Sequence, residues 1–346
     1  MFPQTASGNV APIRTLSGTG ITGGIFVDST NHEVYVTDFS NHAIHVYART
    51  ANGTGVAPLR TIAGAATQLN GPFGLFVDTA HDELFVAESG DDKVLAFPRT
   101  ANGNVAPIRR LQNGTLDDTG FFSPLGVFVD SVHDELFVSV TKLHTDAIIV
   151  FNRTANSDLA VPIRQFATGF NSFPEGLFVN PATNEIIAAH TLNPGEIRVY
   201  PRTANAPIVG MSPTAFPPTR TIAGAATGLF KPVGIGVDLL NSEIIVSNLS
   251  SGDPNDAFAT SIRVFPLSGS GNIAPLRVIK GSATGLSGVQ HMALGSIPVL
   301  PASLVASVLP VSRSVKTGTT ATAFATMINT SDVPLTNCEI AQLSGP

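Results

Sequence analysis

Cysteine is rare in this sequence, and so are aromatic residues other than phenylalanine. It has no tryptophan, three tyrosines and one cysteine in 346 residues. The single cysteine, Cys338, excludes an internal disulfide and says little about the redox compartment. Stacking platforms for sugars or bases are therefore scarce, and the 21 phenylalanines are expected mainly in the core.

Charge is also scarce. Charged residues make up 13% of the chain, compared with roughly 25% in an average soluble domain. The net charge is −6 and only five of the 19 basic residues are lysines, so no basic patch suits nucleic acid or an anionic membrane. Although 43% of the residues are hydrophobic, no run approaches the roughly 18 apolar residues of a membrane span. We expect a soluble chain with a charge-poor surface.

Motifs of common enzymes are missing as well. The chain has no G-x-S-x-G elbow, no H-E-x-x-H, no C-x-x-C and no phosphate-binding glycine loop. The first residues, MFPQTASGNV, lack the basic and apolar regions of a signal peptide. Because Met1 falls inside a repeat, we expect that the natural start has been removed.

One phrase occurs six times. RTANGNVAPIR (99–109) has variants at 4–14, 49–60, 153–164, 202–220 and 268–277. Between copies the order is constant: GLFVD, a polar turn, DELFVAES, a second turn, DKVLAFPRT, then the phrase and a glycine-rich link. Each unit holds four short runs of β-branched, aromatic and aliphatic residues and nothing long enough for a helix. A period of roughly 50 residues with four strands predicts an all-β fold, a β-propeller.

The two ends predict how the ring closes. The chain opens with the tail of a unit and, after five complete units, offers only the head of another, GVQHMALG (288–295). Joined, these would form a composite sixth blade and remove open sheet edges. The sequence therefore predicts a six-bladed propeller over residues 1–296, with SLVASVLP (303–310) as the source of the composite blade's second strand.

The repeat resembles the NHL type. GIFVD (24–28) and HEVYVTDFSNHAIHVY (32–47) are similar to that family's frame of P-x-G-I-x-V-D, V-Y-V-A-D and N-x-I-x-V-F. The resemblance covers residues 1 to about 295 and implies the propeller fold and a bacterial, exported protein. It implies little about activity, because the family includes protein-binding modules, structural proteins, lactonase-like hydrolases and lyases.

The phrase itself is interpreted as a building block. Its Asn-Gly pair suits the positive-φ positions of a hairpin turn, and its proline can begin the outermost strand. An arginine recurs on that strand and a glutamate at the start of the second strand. These could form a ring of sites for a repetitive anion, or pair locally at the blade edges; we favour local pairing. The residues are Arg14, Arg60, Arg109, Arg164, Arg220 and Arg277, and Glu33, Glu83, Glu135, Glu185 and Glu243.

The candidate site lies where the second strands end. Aligned there are Asp38, Glu88, Val140, His190 and Asn248, which we expect around the mouth of the central channel. His291 and Gln290 replace apolar residues of the last innermost strand and could face the channel. Such side chains can bind a divalent metal, and His190 is the candidate acid or base. Turn closure and core histidines are the structural alternatives, and we favour them.

Two further sets of polar residues stand out in the sequence. The insertion at 248–261 contains Asp253, Asn255 and Asp256, candidate oxygen ligands for Ca²⁺ or another divalent metal, without the regular D-x-D-x-D-G spacing. No other cofactor is indicated. His32, His81 and His133 align in the first turn of three units and are interpreted as turn residues.

The tail has a different pattern. Residues 297–346 are rich in threonine, alanine and valine and look like the opening strands of an immunoglobulin-like sandwich, which needs roughly seven strands. Either the chain stops within a second domain or another molecule supplies the missing strands. The second alternative predicts self-association with a protein partner.

Two functions follow as hypotheses. The first is a non-catalytic extracellular propeller acting as a structural or interaction module, such as a self-assembling subunit of a surface layer or filament. The second is an NHL-like metal-dependent lyase or lactonase-type hydrolase with its site at the channel mouth. A carbohydrate- or peptide-binding propeller is a third. Whether the chain is an enzyme stays open, and the missing motifs favour the first hypothesis.

Overall fold

The chain forms two compact units, Met1–Gly295 and Ser296–Pro346. The computed structural model describes residues 1–18, 23–112, 123–141, 146–208, 214–249, 260–287, 291–295, 304–309 and 324–329. In the first unit the strands form five four-stranded sheets, each antiparallel throughout. The predicted all-β propeller class is therefore confirmed.

The elements follow the repeat. In the described residues the strands are β1 (Leu16–Ser17), β2 (Ile25–Asp28), β3 (Glu33–Asp38), β4 (Ala43–Ala48), β5 (Gly53–Thr54), β6 (Arg60–Ala63), β7 (Pro72–Asp78), β8 (Glu83–Glu88), β9 (Lys93–Pro98), β10 (Arg109–Leu111), β11 (Pro124–Asp130), β12 (Glu135–Val140), β13 (Asp146–Asn152), β14 (Arg164–Gly169), β15 (Pro174–Asn180), β16 (Glu185–His190), β17 (Glu196–Pro201), β18 (Arg220–Ala223), β19 (Pro232–Asp238), β20 (Glu243–Asn248), β21 (Ser261–Pro266), β22 (Arg277–Ile279), β23 (Leu304–Leu309) and β24 (Phe324–Asn329). Three single-turn 3₁₀ helices, Ala65–Thr67, Ala225–Thr227 and Ser282–Thr284, follow outermost strands.

The five blades are the sheets β2-β3-β4-β6, β7-β8-β9-β10, β11-β12-β13-β14, β15-β16-β17-β18 and β19-β20-β21-β22. We number them one to five in chain order. Their first strands pack side by side in that same order, which makes them the innermost strands of the propeller. Because strands alternate in direction, each blade has its first and third turns at one end of the propeller. We call that end the turn face and the opposite end, where the innermost strands begin, the mouth face.

The hydrophobic core lies between blades. One buried cluster joins Ile44 and Val46 of β4 to Leu75 and Val77 of β7, and three others join the second to third, third to fourth and fourth to fifth blades. Strands such as β8 and β12 are buried along their whole length, which explains their continuous apolar runs. No blade can bury both of its faces alone.

The prediction of six blades is wrong, because the described residues form five. Between the fifth and first blades lie two shorter segments. Gly8 makes a parallel bridge to Ile279 of β22, and β1 pairs in parallel with β5. Residues 291–295 lie against Gly234 of β19 on one side and, through Gly295, against Val27 of β2 on the other.

The missing part of a sixth sheet is its second strand. The sequence offered residues 303–310 as a candidate for that role. Within the second unit, β23 pairs antiparallel with β24 in a two-stranded sheet, with Leu304 opposite Asn329. In the described part of the chain, no helix has the length and apolarity to cross a bilayer.

Candidate functional site

The predicted local pairing of arginine and glutamate is confirmed in all five blades. Arg60 donates to both oxygens of Glu33 at 2.6 and 2.9 Å, and Arg164 binds Glu135 through two bonds of 2.7 Å. The same pair joins Arg109 to Glu83, Arg220 to Glu185 and Arg277 to Glu243. Arg14 belongs to the N-terminal segment and donates to the Met1 sulfur instead. These arginines are occupied within the fold and do not form a ring for a repetitive anion.

A second arginine, which sequence reasoning missed, links neighbouring blades. Arg99, the first residue of the repeated phrase, lies 3.3 Å from Glu33 of the preceding blade. Arg153 donates to Glu83 at 2.8 Å and Arg202 to Glu135 at 2.5 Å, again one blade back. Leu267 stands at this position in the fifth blade, so Glu185 has one arginine only. The sequence feature that could have indicated this inter-blade pair is the arginine that begins the phrase.

Hydrogen bonds from its partners offset the burial of Glu33. Burial alone would raise the pKa of Glu33, but hydrogen bonds from Arg60 and Tyr35 hold it below its usual value. The pKa of Arg277 is raised by its hydrogen bond to Glu243, in spite of burial. Each carboxylate is thus neutralised by guanidinium groups from one or two blades.

The rest of the phrase also joins blades. The Asn102 side chain accepts a hydrogen bond from the Thr61 amide of the preceding blade at 3.2 Å, and the Gly103 amide donates to the Thr61 carbonyl at 2.7 Å. Gly103 has φ +75°, the positive value expected for the Asn-Gly turn. Each such turn adds a short parallel strand to the neighbouring sheet and covers its outer edge. The phrase therefore has a structural role, because it joins neighbouring blades.

The residues predicted around the channel mouth are buried, each within its own blade. Asp38 accepts two bonds from Asn41, at 2.9 and 2.8 Å, and so closes the turn after β3. Val140 is buried at the end of β12. In the second, fourth and fifth blades the aligned side chain binds the backbone of the link that precedes the innermost strand.

Three aligned side chains make this bond to the link. Glu88 accepts from the Asn70 amide at 2.5 Å, and Asn248 accepts from the Phe230 amide at 2.7 Å. His190 lies 3.1 Å, through Nδ1, from the carbonyl oxygen of Ser172. These contacts give each side chain a partner in its own blade.

Two of these side chains have shifted pKa values. Burial raises the pKa of Glu88 to about 7, although the Asn70 amide acts in the opposite direction. Its second oxygen, Oε1, is buried without a hydrogen-bond partner. Burial lowers the pKa of His190 to about 3, and the Tyr200 hydroxyl lies 3.3 Å from its Nε2. His190 is therefore neutral, with the proton on Nδ1 facing the carbonyl.

A second set of aligned residues lies where the innermost strands begin. In each blade the glycine of the innermost strand packs against the backbone of the next blade. A Cβ built on Gly126, for example, would lie 2.5 Å from the Glu175 oxygen, and one on Gly234 would lie 2.9 Å from the His291 Cα. These repeated contacts define six equivalent positions, which we call the mouth ring: Gly23, Phe73, Leu125, Glu175, Val233 and His291.

His291 therefore lies beside the innermost strand β19, whereas Asp38, Glu88, His190 and Asn248 lie at the ends of the second strands. Its ring meets that of Phe73 edge to face at 4.8 Å. Burial lowers its pKa to about 4, and its Nε2 is covered and has no hydrogen-bond partner. Gln290 lies outside the described residues.

Sequence reasoning missed Glu175 in the mouth ring. Burial raises its pKa to about 7, and a hydrogen bond with Thr191 acts in the opposite direction. Its side chain is half-buried, and no arginine, lysine or histidine pairs with it among the described residues. The sequence signal was a single acidic residue, in FPEGLFVN, where three of the other units have phenylalanine, leucine or valine and the first has glycine.

Phenylalanines of neighbouring innermost strands pack against one another. Phe26, Phe76, Phe128 and Phe178 occupy the same position in four innermost strands, and their neighbouring ring centroids are 5.1, 4.7 and 5.2 Å apart. Gly236 holds this position in the fifth blade, and Leu294 fills the space beside it.

The remaining predictions have mixed outcomes. His81 and His133 bind Asp78 and Asp130 at 2.8 and 2.7 Å across the first turn of their blades, as expected for turn residues. Asp253, Asn255 and Asp256 lie outside the described residues. Within the described ranges, no three His, Cys, Asp or Glu side chains are grouped so that they could hold a metal ion.

Comparison with solved structures agrees with this architecture. A chain of the Kuenenia stuttgartiensis hydrazine synthase has a TM-score of 0.51 and 10% identity over 77% of this chain and 66% of its own length. A chain of a nidogen/laminin complex has a TM-score of 0.53 and 14% identity over 79% and 85%. A putative 6-phosphogluconolactonase from Bacteroides fragilis has a TM-score of 0.49 and 14% identity over 77% and 72%.

The chain spans slightly less than two thirds of that hydrazine synthase chain. No family model matches the sequence, and no curated protein matches it. At identities of 10 and 14%, the likeness to the first two chains shows the fold alone. The protein is a β-propeller with a short second unit.

Proposed function

We propose that this chain is a non-catalytic, extracellular propeller of the NHL-repeat type that acts as an interaction module and self-assembles, as a subunit of a surface layer or filament. Propellers serve many unrelated functions, so the proposal depends on the surface and not on the fold. An extracellular location is supported by the resemblance of the repeats to those of exported proteins.

The observation that carries the proposal is where the exposed hydrophobic side chains lie. Of the fourteen large hydrophobic residues that are exposed in the described ranges, ten belong to the first and third turns of the blades and the strand starts beside them. The ten are Ile13, Leu59, Ile108, Val132, Leu159, Val161, Ile163, Leu239, Leu240 and Leu276. Seven of the ten, which lie in the first turns or directly before β6, β10, β14 and β22, are therefore on the turn face. Leu159 and Val161 lie in the copy of the phrase that runs along the outer edge of the second blade, and Ile13 lies in the N-terminal segment.

Five of the ten repeat with the blades. Each stands directly before an outer-strand arginine, and their exposed fractions range from 39% for Ile163 to 57% for Ile13. Four of the arginines beside them turn inward to glutamates and add little charge to this face, whereas Arg14 donates to the Met1 sulfur. Apolar side chains that recur around one face favour contact with another protein surface.

The second unit supports self-association independently. In the described part of the second unit, β23 and β24 form a two-stranded sheet, and such a sheet by itself is marginally stable in water. Addition of a strand from another chain would extend and stabilise it. A second copy of this chain carries a matching pair of strands and is the partner we propose.

Assembly can be tested on the full chain by sedimentation velocity and electron microscopy. We expect particles larger than one chain. A variant with Leu59→Lys, Ile108→Lys and Ile163→Lys should sediment as smaller particles. The matched control places lysine at Phe39 and Phe170, which are exposed at the opposite end of the propeller, and should assemble like the wild type.

The tail is tested separately by Ala306→Pro and Thr326→Pro, which each remove a backbone donor from β23 or β24. Either should shorten or abolish the assemblies. A monomeric wild-type chain at about 100 µM, a concentration at which even weak interfaces associate, would refute the proposal. Unchanged assembly in every variant would refute the surfaces we assign.

A further inference from the structure

Two arginines beside the first blade lack the carboxylate that their counterparts bind. In the first blade, Glu33 at the start of β3 is held by Arg60 of β6 and by Arg99 of the second blade. Arg14 of the N-terminal segment and Arg49, directly after β4, repeat the positions of these arginines one blade earlier. Neither has a carboxylate partner among the described residues.

Backbone hydrogen bonds show that the N-terminal segment stands in the place of an outermost strand. The Gly53 amide donates to the Thr15 carbonyl at 2.7 Å, and the Asn52 side chain accepts from the Thr15 amide at 3.0 Å. These are the same two bonds by which the next copy of the phrase joins the second blade to the first. The segment therefore takes the place of the fourth strand of a sixth blade, and Arg14 takes that of Arg60.

The two guanidinium groups lie around the same pair of residues. Arg14 Nη2 lies 2.6 Å from the Met1 sulfur, and a Cβ built on Gly295 would lie 3.4 Å from the Met1 Cε. Arg49 donates through Nη2 to the carbonyl oxygen of Gly295. A thioether and a carbonyl thus occupy the place that a glutamate has in the complete blades, and neither of them neutralises a positive charge.

Residues 291–295 take the place of the first strand of the same sixth blade. Gly234 packs against them as the other innermost glycines pack against the next blade. Within the described residues, the backbone of 292–294 makes no hydrogen bond, whereas each complete blade pairs its first strand with its second. Gly295 is half-buried, whereas Val237, at the same position in the fifth blade, is buried. Among the described segments, therefore, none fills the place of the second strand.

The sequence of the second unit contains a further match to the start of a second strand. NCEI (337–340) shares three of four residues with NSEI (241–244), in which Glu243 begins β20. The six residues that start at Glu339, EIAQLS, equal β3 and β20 in length. They lie outside the described residues, and Glu339 is the one glutamate in the sequence of this unit. Carboxylates form strong, charge-assisted hydrogen bonds with guanidinium groups, so Glu339 suits the two arginines.

We propose that the sixth position takes up residues 339–344 of a second copy of this chain as its second strand, with the Glu339 carboxylate bound by Arg14 and Arg49. The incoming strand pairs with residues 291–295, and its glutamate restores the two-arginine arrangement of the complete blade junctions. A second copy is the source because both arginines lack a carboxylate within the described residues of one chain. The inference rests on the proposed self-assembly and names a segment that carries it.

Disulfide trapping in the full chain tests the position of this strand, because Cys338 is the single cysteine. In the fifth blade Ser242, directly before β20, accepts a hydrogen bond from the Leu267 amide at 2.7 Å. Cys338 and Gln4 hold the same two places in the sixth position, so Gln4→Cys should form a disulfide with Cys338 of another copy. Under mild oxidation we expect covalent dimers and longer chains on a non-reducing gel, about tenfold more than with Ser7→Cys, an exposed position in the same segment.

Further variants in the Gln4→Cys background show whether the charges direct the strand. Glu339→Gln and Arg14→Gln should each lower the yield of covalent dimers about tenfold, since either removes one side of the ion pair. Arg110→Gln, which changes an exposed arginine of the second blade, is the matched control and should leave the yield unchanged. Gln342→Val should raise the yield, because Gln342 falls where β3, β8, β12 and β20 have a buried valine.

A disulfide within one chain, seen as an oxidised monomer of altered mobility, would overturn the assignment to a second copy. Wild-type assemblies with equal yields from Gln4→Cys and Ser7→Cys would refute the site and leave the proposed function standing. A monomeric wild type would refute the proposed function, and a synthetic peptide of residues 336–346 then tests the position by itself. Saturable binding of the peptide in calorimetry, lost with Glu339→Gln, would support the strand site, and no binding at about 1 mM would refute it.

Discussion

Arg153 of the third blade donates a hydrogen bond to Glu83 of the second blade at 2.8 Å, while Arg109 of the second blade binds the same carboxylate. All three side chains are largely buried. Two blades that share no sheet are thereby joined through one glutamate. Glu33 and Glu135 make the same arrangement at two other blade junctions.

This junction gives the first prediction. Arg153→Met should destabilise the propeller by about 3 kcal/mol, because Glu83 and Asp134 both lose a partner. The control is Arg110→Met. Arg110 also bridges the second and third blades, through Asp158, but in an exposed pair, so its loss should cost less than about 1 kcal/mol. Chemical denaturation measures both, and equal losses would contradict the prediction.

A second prediction concerns the close approach of the innermost strands. A Cβ on Gly126 would meet the backbone oxygen of Glu175 at 2.5 Å, and backbone cannot move aside as a side chain can. Gly126→Ala should therefore cost about 3 kcal/mol or more. Gly103→Ala is the control: its φ is +75° but the space around it is open, so about 1 kcal/mol is expected. Denaturant midpoints of the two variants should differ clearly; similar midpoints would disprove the tight packing.

Glu88 makes stability depend on pH. Its pKa is raised to about 7 in the folded chain from 4.5, so the folded state holds the proton more tightly than the unfolded state. Its contribution is therefore favourable at low pH and is lost as pH rises from about 4.5 to 7, by up to about 3 kcal/mol. Relative to the wild type, Glu88→Gln should gain stability at pH 8 compared with pH 5.

Unfolding free energies at pH 5, 6, 7 and 8 test this difference, and taking the variant minus the wild type removes the contribution of other groups. Adding Glu175→Gln should extend the effect, because the pKa of Glu175 is raised in the same direction. A difference between Glu88→Gln and the wild type that does not change with pH would rule the mechanism out.

His190 should remain neutral in mildly acidic solution. Its pKa is lowered from 6.5 to about 3, so folding stability should fall as pH decreases below about 6.5, because the unfolded chain takes up this proton first. At pH 5 the ¹⁵N chemical shifts of His190 should show a neutral ring with the proton on Nδ1, facing Ser172. A doubly protonated ring at that pH, in folded protein, would show that burial does not control this histidine.

Several features could be read from the sequence because they are local to one repeat. The strand runs, the positive-φ glycine of the phrase and the pairing of Glu33 with Arg60 recur at fixed spacings inside each unit. An arginine on the fourth strand and a glutamate on the second face each other whenever the unit folds as a sheet. Repetition made these predictions secure.

Contacts between blades were harder to predict from the sequence. Nothing in the phrase indicates that Arg153 reaches back to Glu83, 70 positions earlier, instead of binding within its own blade. The alignment also placed Glu88 and His190 at the channel, whereas their position one strand out turns them to the link backbone. The innermost strand of the fourth blade carries Glu175 where three other blades have phenylalanine, leucine or valine.

By itself, the sequence determined the secondary structure, the propeller class and the pairs within each blade, because short-range pattern and burial decide these. Only the tertiary structure decided the number of complete blades, the contacts that join them and the residues that meet at the axis. These features depend on how the ring closes. Closure brings together residues that are far apart in the sequence, and no local pattern indicates which of them meet.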